Sequence, residues 1–372
     1  MTFDLHIPTR IVFGAGTVNR TGELTGESGS HALVVTGRRA ARAHGHLQRV
    51  LDSLQVSGIH STVYDEVSPN PRSDEIDAAA AITKARDIDV VIGLGGGSAI
   101  DAAKAIAVTH SYDSTVRDLI GHTLDTTTSA LPIIAVPTTA GSGSEVTKGA
   151  IITDTTRNFR AGIRGAAVTP RTAIIDSDLL ATVPPTVLAD TAFDSLAHAI
   201  EGAVARRSTP VSRTISTHAI SLITENLPPV LEGNRDPKHL DALALASVLG
   251  GINVATVSTC LPHRLQQALG ALPQLNISHG RGLAALYPAW LEHTEPSAMH
   301  FSAIAHVLDN DTVYEGIKKF TKQTGTATRL RDWGIDHCDL PTVVNAVTGN
   351  LDNDPAIDID ATYIHSIYAR SL

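Results

Sequence analysis

The sequence predicts an α/β domain built on a parallel sheet, residues 1–180, followed by an all-α domain, residues 181–372. Three observations carry this. Short β-branched apolar runs alternate with helical patterns through the first half, as a sheet covered on both faces requires. Glycine-rich turns stop several of those runs. Past about Asp178 the strand-like runs cease and long Ala/Leu/Ile-rich helical patterns take over, with Pro184-Pro185 at the change.

Taken in order, Arg10–Gly14 reads as the opening strand, ended by Gly14-Ala15-Gly16. His31–Thr36 is an apolar run stopped by Gly37, with helix following through Leu54. Ser61–Asp65 is a strand, and Pro69-Asn70-Pro71 punctuates before a helix from Ser73 to Arg86. Ile88–Gly93 and Pro132–Val136 complete the strands. The helical half reads as Thr186–Arg206, Val211–Leu227, Leu240–Gln267 and further helices, closing with a loop at Asn350–Pro355 and a last helix, Asp360–Arg370. No internal repeat or low-complexity segment is present.

The formal charge of -9 is spread along the chain without a Lys/Arg run, which argues against a nucleic-acid face. Two widely separated cysteines, Cys260 and Cys338, imply no disulfide framework and a reducing, cytoplasmic setting. The N-terminus lacks the pattern of a secretory signal, and no apolar run reads as long enough to span a bilayer.

Three stretches carry chemistry. In the helix around Asp190–Gly202, Asp194 and His198 stand four residues apart and project from nearly the same side, so both can reach one divalent cation. The same spacing also serves a plain surface hydrogen bond or ion pair. The second stretch, Gly95-Gly96-Gly97-Ser98, follows a strand and opens a helix; backbone N–H groups there can approach a pyrophosphate closely. It departs from the G-x-G-x-x-G fingerprint, because Ser98 stands where the third glycine would be. The third, Pro137–Thr147, packs hydroxyls and glycines after another strand, either as an exposed linker or as a polar ligand contact at the binding edge of a Rossmann-like sheet.

Together these stretches resemble the iron-containing (group III) alcohol dehydrogenase family over nearly the whole chain. The family's Gly-Gly-Gly-Ser-x-x-Asp-x-x-Lys matches Gly95–Lys104, its Pro-Thr-Thr-Ala-Gly-(Thr/Ser)-Gly-Ser-Glu-Val-Thr matches Pro137–Thr147, and its metal helix matches Asp194–Glu201. The resemblance implies the fold of that family, shared with dehydroquinate synthase. It places Gly95, Gly96, Gly97 and Ser98 at the cofactor pyrophosphate, and Asp101, Thr138, Thr139, Ser142, Ser144 and Thr147 along the cofactor site. It adds His263 and His279 to Asp194 and His198 as metal ligands, a set that suits Fe²⁺ with Zn²⁺ as the alternative ion. His263, Gln267 and His279 fall on the catalytic positions.

Two departures from the family pattern stand out. Gln267 replaces a histidine one turn after His263, and glutamine exchanges no proton near neutral pH. The loop between Gly270 and His279 is two residues longer than the pattern. Where several NAD-preferring members carry an Asp, this chain has Gly37, followed by Arg38, which implies a preference for NADP(H) over NAD(H).

The expected reaction is hydride transfer between NAD(P)H and an aldehyde/primary alcohol pair, with a Lewis-acid metal at the carbonyl oxygen. A maleylacetate reductase-like or other anionic-carbonyl reductase is the second reading, with Arg264 and Arg281 available to an anion. A dehydroquinate synthase-like lyase is the third. The expected partners are a small-molecule aldehyde or alcohol and a second copy of the chain, with no nucleic acid and no membrane.

Overall fold

The computed structural model describes residues 2–157, 159–272, 274–295 and 300–372. Two compact units are present: Ile7–Val183, and Pro184–Leu372 with the N-terminal residues through His6.

The first unit has strands β1 (Arg10–Phe13), β2 (His31–Gly37), β3 (His60–Val67), β4 (Val90–Gly95), β5 (Ile133–Pro137), β6 (Gly149–Asp154), β7 (Phe159–Arg164) and β8 (Thr172–Ile175). Its helices are α1 (Thr21–Gly26), α2 (Ala40–Ala43), α3 (His46–Val56), α4 (Ser73–Ala85) and α5 (Gly97–Thr109). Six strands form one sheet in the order β1-β8-β5-β4-β2-β3, and every pairing is parallel.

Alternation along the strands divides the core between the two faces. On β2, Ala32 and Val34 pack with Leu47, Val50 and Leu54 of α3, whereas Leu33 and Val35 pack with Ile76 of α4 and Ala102 and Ile106 of α5. The chain runs from β2 outward to β3 and then returns to β4 on the other side of β2. The loops after β2 and β4 therefore leave the carboxyl edge side by side at a topological switch point, where open parallel sheets bind ligands.

Two features go beyond the expected strands. Strands β6 and β7 form an antiparallel hairpin, and β8 inserts between β1 and β5. The charged Arg160 and Arg164 and the glycine at Gly162 disguise β7 as a loop, and β8 spans only four residues, Thr172–Ile175.

The helices of the second unit are α6 (Pro185–Val204), α7 (Pro210–Leu231), α8 (Pro237–Val257), α9 (Leu261–Ala268), α10 (His279–Thr294), α11 (Phe301–Val307), α12 (Val313–Gln323), α13 (Leu340–Asn345) and α14 (Ala361–Ser371). Proline opens α6, α7 and α8 at the first helical position, where its missing N–H has no intrahelical partner to lose.

The single helix expected over Leu240–Gln267 is in fact two. Ser258 adopts φ 66° and ψ -176°, which ends α8, and Pro262 lies in the first turn of α9. The reading that no segment could span a bilayer also needs correction. By length and composition α8 could cross one, because its apolar residues are interspersed with few charges rather than forming an unbroken run. Here it packs against α6 and α7 as a largely buried helix.

Candidate metal centre and dinucleotide loops

Helix α6 presents Asp190, Asp194, His198 and Glu201 along one stripe, at successive intervals of four, four and three residues. Two glycines let other helices come close to it. A Cβ on Gly250 of α8 would lie 3.2 Å from the Cβ of His198, and one on Gly280 of α10 would lie 1.7 Å from the Asp190 carbonyl oxygen. The second is sterically impossible, so α10 can begin beside α6 only with glycine at that position.

At the centre, Asp194 Oδ1 lies 3.3 Å from His263 Nε2, 3.4 Å from His279 Nε2 and 3.6 Å from His198 Nε2. The His198 and His263 rings stack with centroids 4.6 Å apart, and those of His263 and His279 are 5.4 Å apart. Ligand atoms each about 2.1 Å from one ion at tetrahedral corners are about 3.4 Å apart. The ligand atoms of Asp194, His263 and His279 all lie within 4.8 Å of one another and fit a single divalent cation, with His198 Nε2 3.6 Å from the same carboxylate oxygen. The electrostatics agree. Burial alone would raise the Asp194 carboxyl, but the facing imidazoles of His198, His279 and His263 hold it well below the usual carboxylate range. Burial would lower His263, yet Glu201 and Asp194 push it up to about 9. Two buried carboxylates thus draw positive charge to the place where a cation would sit. Asp194, His198 and His263 are buried, whereas the His279 side chain is 29% exposed, so the cluster opens on the His279 side.

Glu201, which is fully buried, holds His263 from behind. Its Oε1 is 2.8 Å from His263 Nδ1 and its Oε2 accepts from the Cys260 backbone N–H at 2.6 Å. The Tyr287 hydroxyl lies 3.1 Å from both Glu201 Oε1 and the Ala197 carbonyl oxygen. A carboxylate accepting at Nδ1 leaves the Nε2 lone pair for a metal.

The loop before α14 completes this brace. Asp354 Oδ2 accepts from the Leu261 N–H at 2.8 Å and from Trp290 Nε1 at 3.1 Å, while burial pushes its carboxyl up to about 6. Asn353 Nδ2 donates to the carbonyls of Val257 (2.8 Å) and Thr259 (3.1 Å), on either side of Ser258. The break that frees α9 to aim His263 at Asp194 is therefore held from both flanks. At the other end of the stripe, Arg281 pairs with Asp190 at 2.6 Å, and Ser278 Oγ donates to Asp190 at 2.5 Å, fixing the start of α10 and with it His279.

Gln267 lies half-buried one turn along α9 from His263. Of the two arginines considered for an anionic substrate, Arg281 is engaged by Asp190, and Arg264 is buried, with its Nη2 3.4 Å from Ser258 Oγ. The lengthened loop after Gly270 includes Pro273, which lies outside the described residues.

In the α/β unit, Gly95 closes β4 at φ 149° opposite Pro137 of β5, and the Thr138 N–H donates to the Gly95 carbonyl at 2.9 Å. Gly96 and Gly97 begin α5 with no side-chain cap. A Cβ on Gly97 would lie 2.7 Å from Ser142 Oγ, and one on Gly96 would lie 3.1 Å from Thr139 Oγ1. The structure thus brings the two sequence-predicted loops together. Gly96, Gly97, Ser98, Thr138, Thr139 and Ser142 are half-buried.

Asp101, Ser144 and Thr147, also expected along the cofactor site, are engaged by neighbouring protein groups. Asp101 accepts from Ser144 Oγ at 2.5 Å and from the Ile151 N–H at 2.9 Å, and Thr147 Oγ1 accepts from Lys104 Nζ at 3.1 Å. Motif position alone cannot tell a hydroxyl aimed at a ligand from one aimed at the core. Gly37 and Arg38 follow β2 at the switch point. Arg38 is exposed, and its contacts with the Glu66 carbonyl (3.2 Å) and Glu75 Oε1 (3.4 Å) are long.

Residues 8–177 match the family described as iron-containing alcohol dehydrogenase, and residues 188–372 match the C-terminal part of the Fe-containing alcohol dehydrogenase family. The long-chain primary alcohol dehydrogenase AdhA of Thermoanaerobacter ethanolicus is 30% identical over 99% of this chain and 97% of its own length. The NADPH-dependent butanol dehydrogenase of Clostridium saccharobutylicum is 26% identical over 92% of this chain and 89% of its own. Among solved structures, the archaeal halo-thermophilic alcohol dehydrogenase ADH/D1 from a Red Sea brine pool superposes with a TM-score of 0.94 at 30% identity, covering 100% of this chain and 99% of that one.

Proposed function

The chain belongs to the iron-containing alcohol dehydrogenase family, and on that premise we propose that Asp194, His198, His263 and His279 hold one Fe²⁺ for the oxidation and reduction of neutral alcohols and aldehydes with NADP(H). It is a metal-dependent oxidoreductase that exchanges a hydride between NAD(P)H and an alcohol/aldehyde pair. The observation that carries the metal assignment is the placing of three imidazole Nε2 atoms 3.3–3.6 Å from a single buried carboxylate oxygen.

When bound, the ion supplies Lewis-acid polarisation of the substrate oxygen, which favours hydride arrival at the carbonyl carbon. The chain's residues do the rest. Glu201 keeps the proton of His263 on Nδ1, so Nε2 stays free to ligate. His279, the exposed member, marks the side from which a substrate oxygen approaches. Gln267 can hydrogen-bond but moves no proton near neutral pH, which leaves proton exchange to solvent or a mobile side chain.

A neutral substrate is supported by the engagement of Arg281 with Asp190 and by the burial of Arg264, which leave neither as a ready anion partner. NADP(H) is supported by the absence of a carboxylate at Gly37 and by the exposure and long contacts of Arg38 beside it. Two free thiols, one buried and one exposed, support a cytoplasmic setting, and the exposed Ile11 and Phe13 of edge strand β1 support a homodimer.

The test is a steady-state screen of NADPH and NADH oxidation by the metal-loaded enzyme across neutral aldehydes, anionic aldehydes and maleylacetate. Higher kcat/KM with neutral aldehydes and with NADPH is expected, and Arg38→Ala should lower efficiency with NADPH alone. Equal or better efficiency with NADH overturns the coenzyme assignment, and preference for an anionic carbonyl overturns the substrate assignment.

A further inference from the structure

One face of the first two turns of α5 is fastened to the Thr138–Thr147 loop and the start of β6. Gly97, Asp101 and Lys104 recur at intervals of four and three residues, which places them on the same side of the helix. In the first turn Gly97 meets Ser142 so closely that a Cβ would lie 2.7 Å from its hydroxyl. One turn on, Asp101 accepts from Ser144 Oγ at 2.5 Å and from the Ile151 N–H at 2.9 Å. Another turn on, Lys104 Nζ donates to the Thr147 carbonyl (2.9 Å), Thr147 Oγ1 (3.1 Å) and the Gly149 carbonyl (2.9 Å).

Lys104 is fully buried, and its three partners match the three donors of an ammonium group. Burial lowers its ammonium to about 8, opposed by the charges of Asp101 and Glu145. A buried lysine with every donor used is a costly way to fill space, since an apolar side chain would do so without desolvating a charge. What the charge adds is directional hold on Thr147 and Gly149, the residues that end the loop and begin β6.

We propose that Asp101 and Lys104 are positioning residues for the dinucleotide, shaping the loop whose half-buried Thr138, Thr139 and Ser142 face the Gly96–Ser98 turn, without touching the cofactor themselves. The proposal rests on the reading of these loops as the NAD(P)(H) site. Lys104 and Asp101 thereby set coenzyme affinity and leave metal binding, which belongs to the helical unit, unchanged.

The test uses the metal-loaded protein and NADPH alone, with binding followed by nucleotide fluorescence in the absence of substrate. Lys104→Met keeps most of the stem and leaves two carbonyls and a hydroxyl without their donor. It should weaken NADPH binding about tenfold or more. Asp101→Asn should act in the same direction, and metal content should stay at the wild-type value. Thr147→Val removes only the hydroxyl that Lys104 holds, whereas Thr147→Ser restores it. Valine should therefore weaken binding and serine recover it, and Lys104→Met combined with Thr147→Val should weaken binding by less than the product of the single effects.

Wild-type NADPH affinity in a folded Lys104→Met protein, or full additivity of the pair, overturns the proposal. Parallel loss of metal and coenzyme also overturns it, because it would mark general destabilisation. Failure of the unsubstituted protein to bind NADPH would instead remove the reading of the loops on which the proposal rests.

Discussion

Replacing Glu201 with glutamine should weaken metal binding and cost the fold a buried hydrogen bond. The carboxylate is fully buried and accepts from the Cys260 N–H at Oε2, while its Oε1 lies at hydrogen-bond distance from His263 Nδ1 and the Tyr287 hydroxyl. Glutamine has the same shape but only one accepting oxygen. If its amide nitrogen takes the Oε2 position, it confronts the Cys260 N–H, donor against donor. If it takes the Oε1 position, it confronts His263 and drives the ring proton onto Nε2, the atom that should ligate. Either orientation forfeits a hydrogen bond to a charged group, worth about 1.5–3 kcal/mol. At about 1.4 kcal/mol per tenfold, the metal dissociation constant should rise roughly 10- to 100-fold, in line with the usual cost of losing a carboxylate behind a ligating histidine. Anaerobic Fe²⁺ titration of the apo-protein against a competing chelator measures this directly, with circular dichroism as the control for folding. An affinity within about threefold of wild type in a folded Glu201→Gln protein would show that the His263 tautomer is fixed by something else.

Two further outcomes concern stability. Ser258 holds a backbone conformation that glycine reaches far more easily, so Ser258→Gly should stabilise the protein by about 1 kcal/mol in denaturant titration; destabilisation would mean that the Ser258 hydroxyl matters more than the strain. Burial would raise the Asp154 carboxyl, but the Arg157 side chain and the Thr156 and Arg157 backbone N–H groups bring it down to about 2. Because the folded pKa is depressed, this carboxylate contributes stability above its unfolded pKa of about 3.9 and loses it as pH falls toward 2. The stability gap between wild type and Asp154→Asn should therefore be constant above about pH 5 and narrow progressively below pH 4; a gap independent of pH would contradict the ion-pair account.

The proposed metal site was legible in outline because two candidate ligands lie one turn apart on α6, and spacing alone puts Asp194 and His198 together. Glu201 sits on the same stripe and could have been read as a partner for a third ligand. Neither Asn353 nor Asp354 could have been, since a loop residue some ninety positions from the helix it braces leaves no periodic signal. The split between α8 and α9 was hidden for a similar reason. Its positive-φ residue is serine rather than glycine, and Asn353 stabilises it from outside the segment. The two candidate dinucleotide loops were readable from their glycines and from their place after buried strands. The direction of their side chains was not: Asp101 accepts from Ser144, and Lys104 donates to Thr147, across two segments that share no periodic signal.

The central claim, that one buried carboxylate and three histidines hold a single catalytic cation, is tested most directly by metal analysis of His263→Ala beside the unsubstituted protein. One divalent metal per chain is expected in the unsubstituted protein, with loss of both metal and alcohol-dependent NADP⁺ reduction in the variant while NADPH binding persists. Full metal content and full turnover in a folded His263→Ala protein would contradict the account.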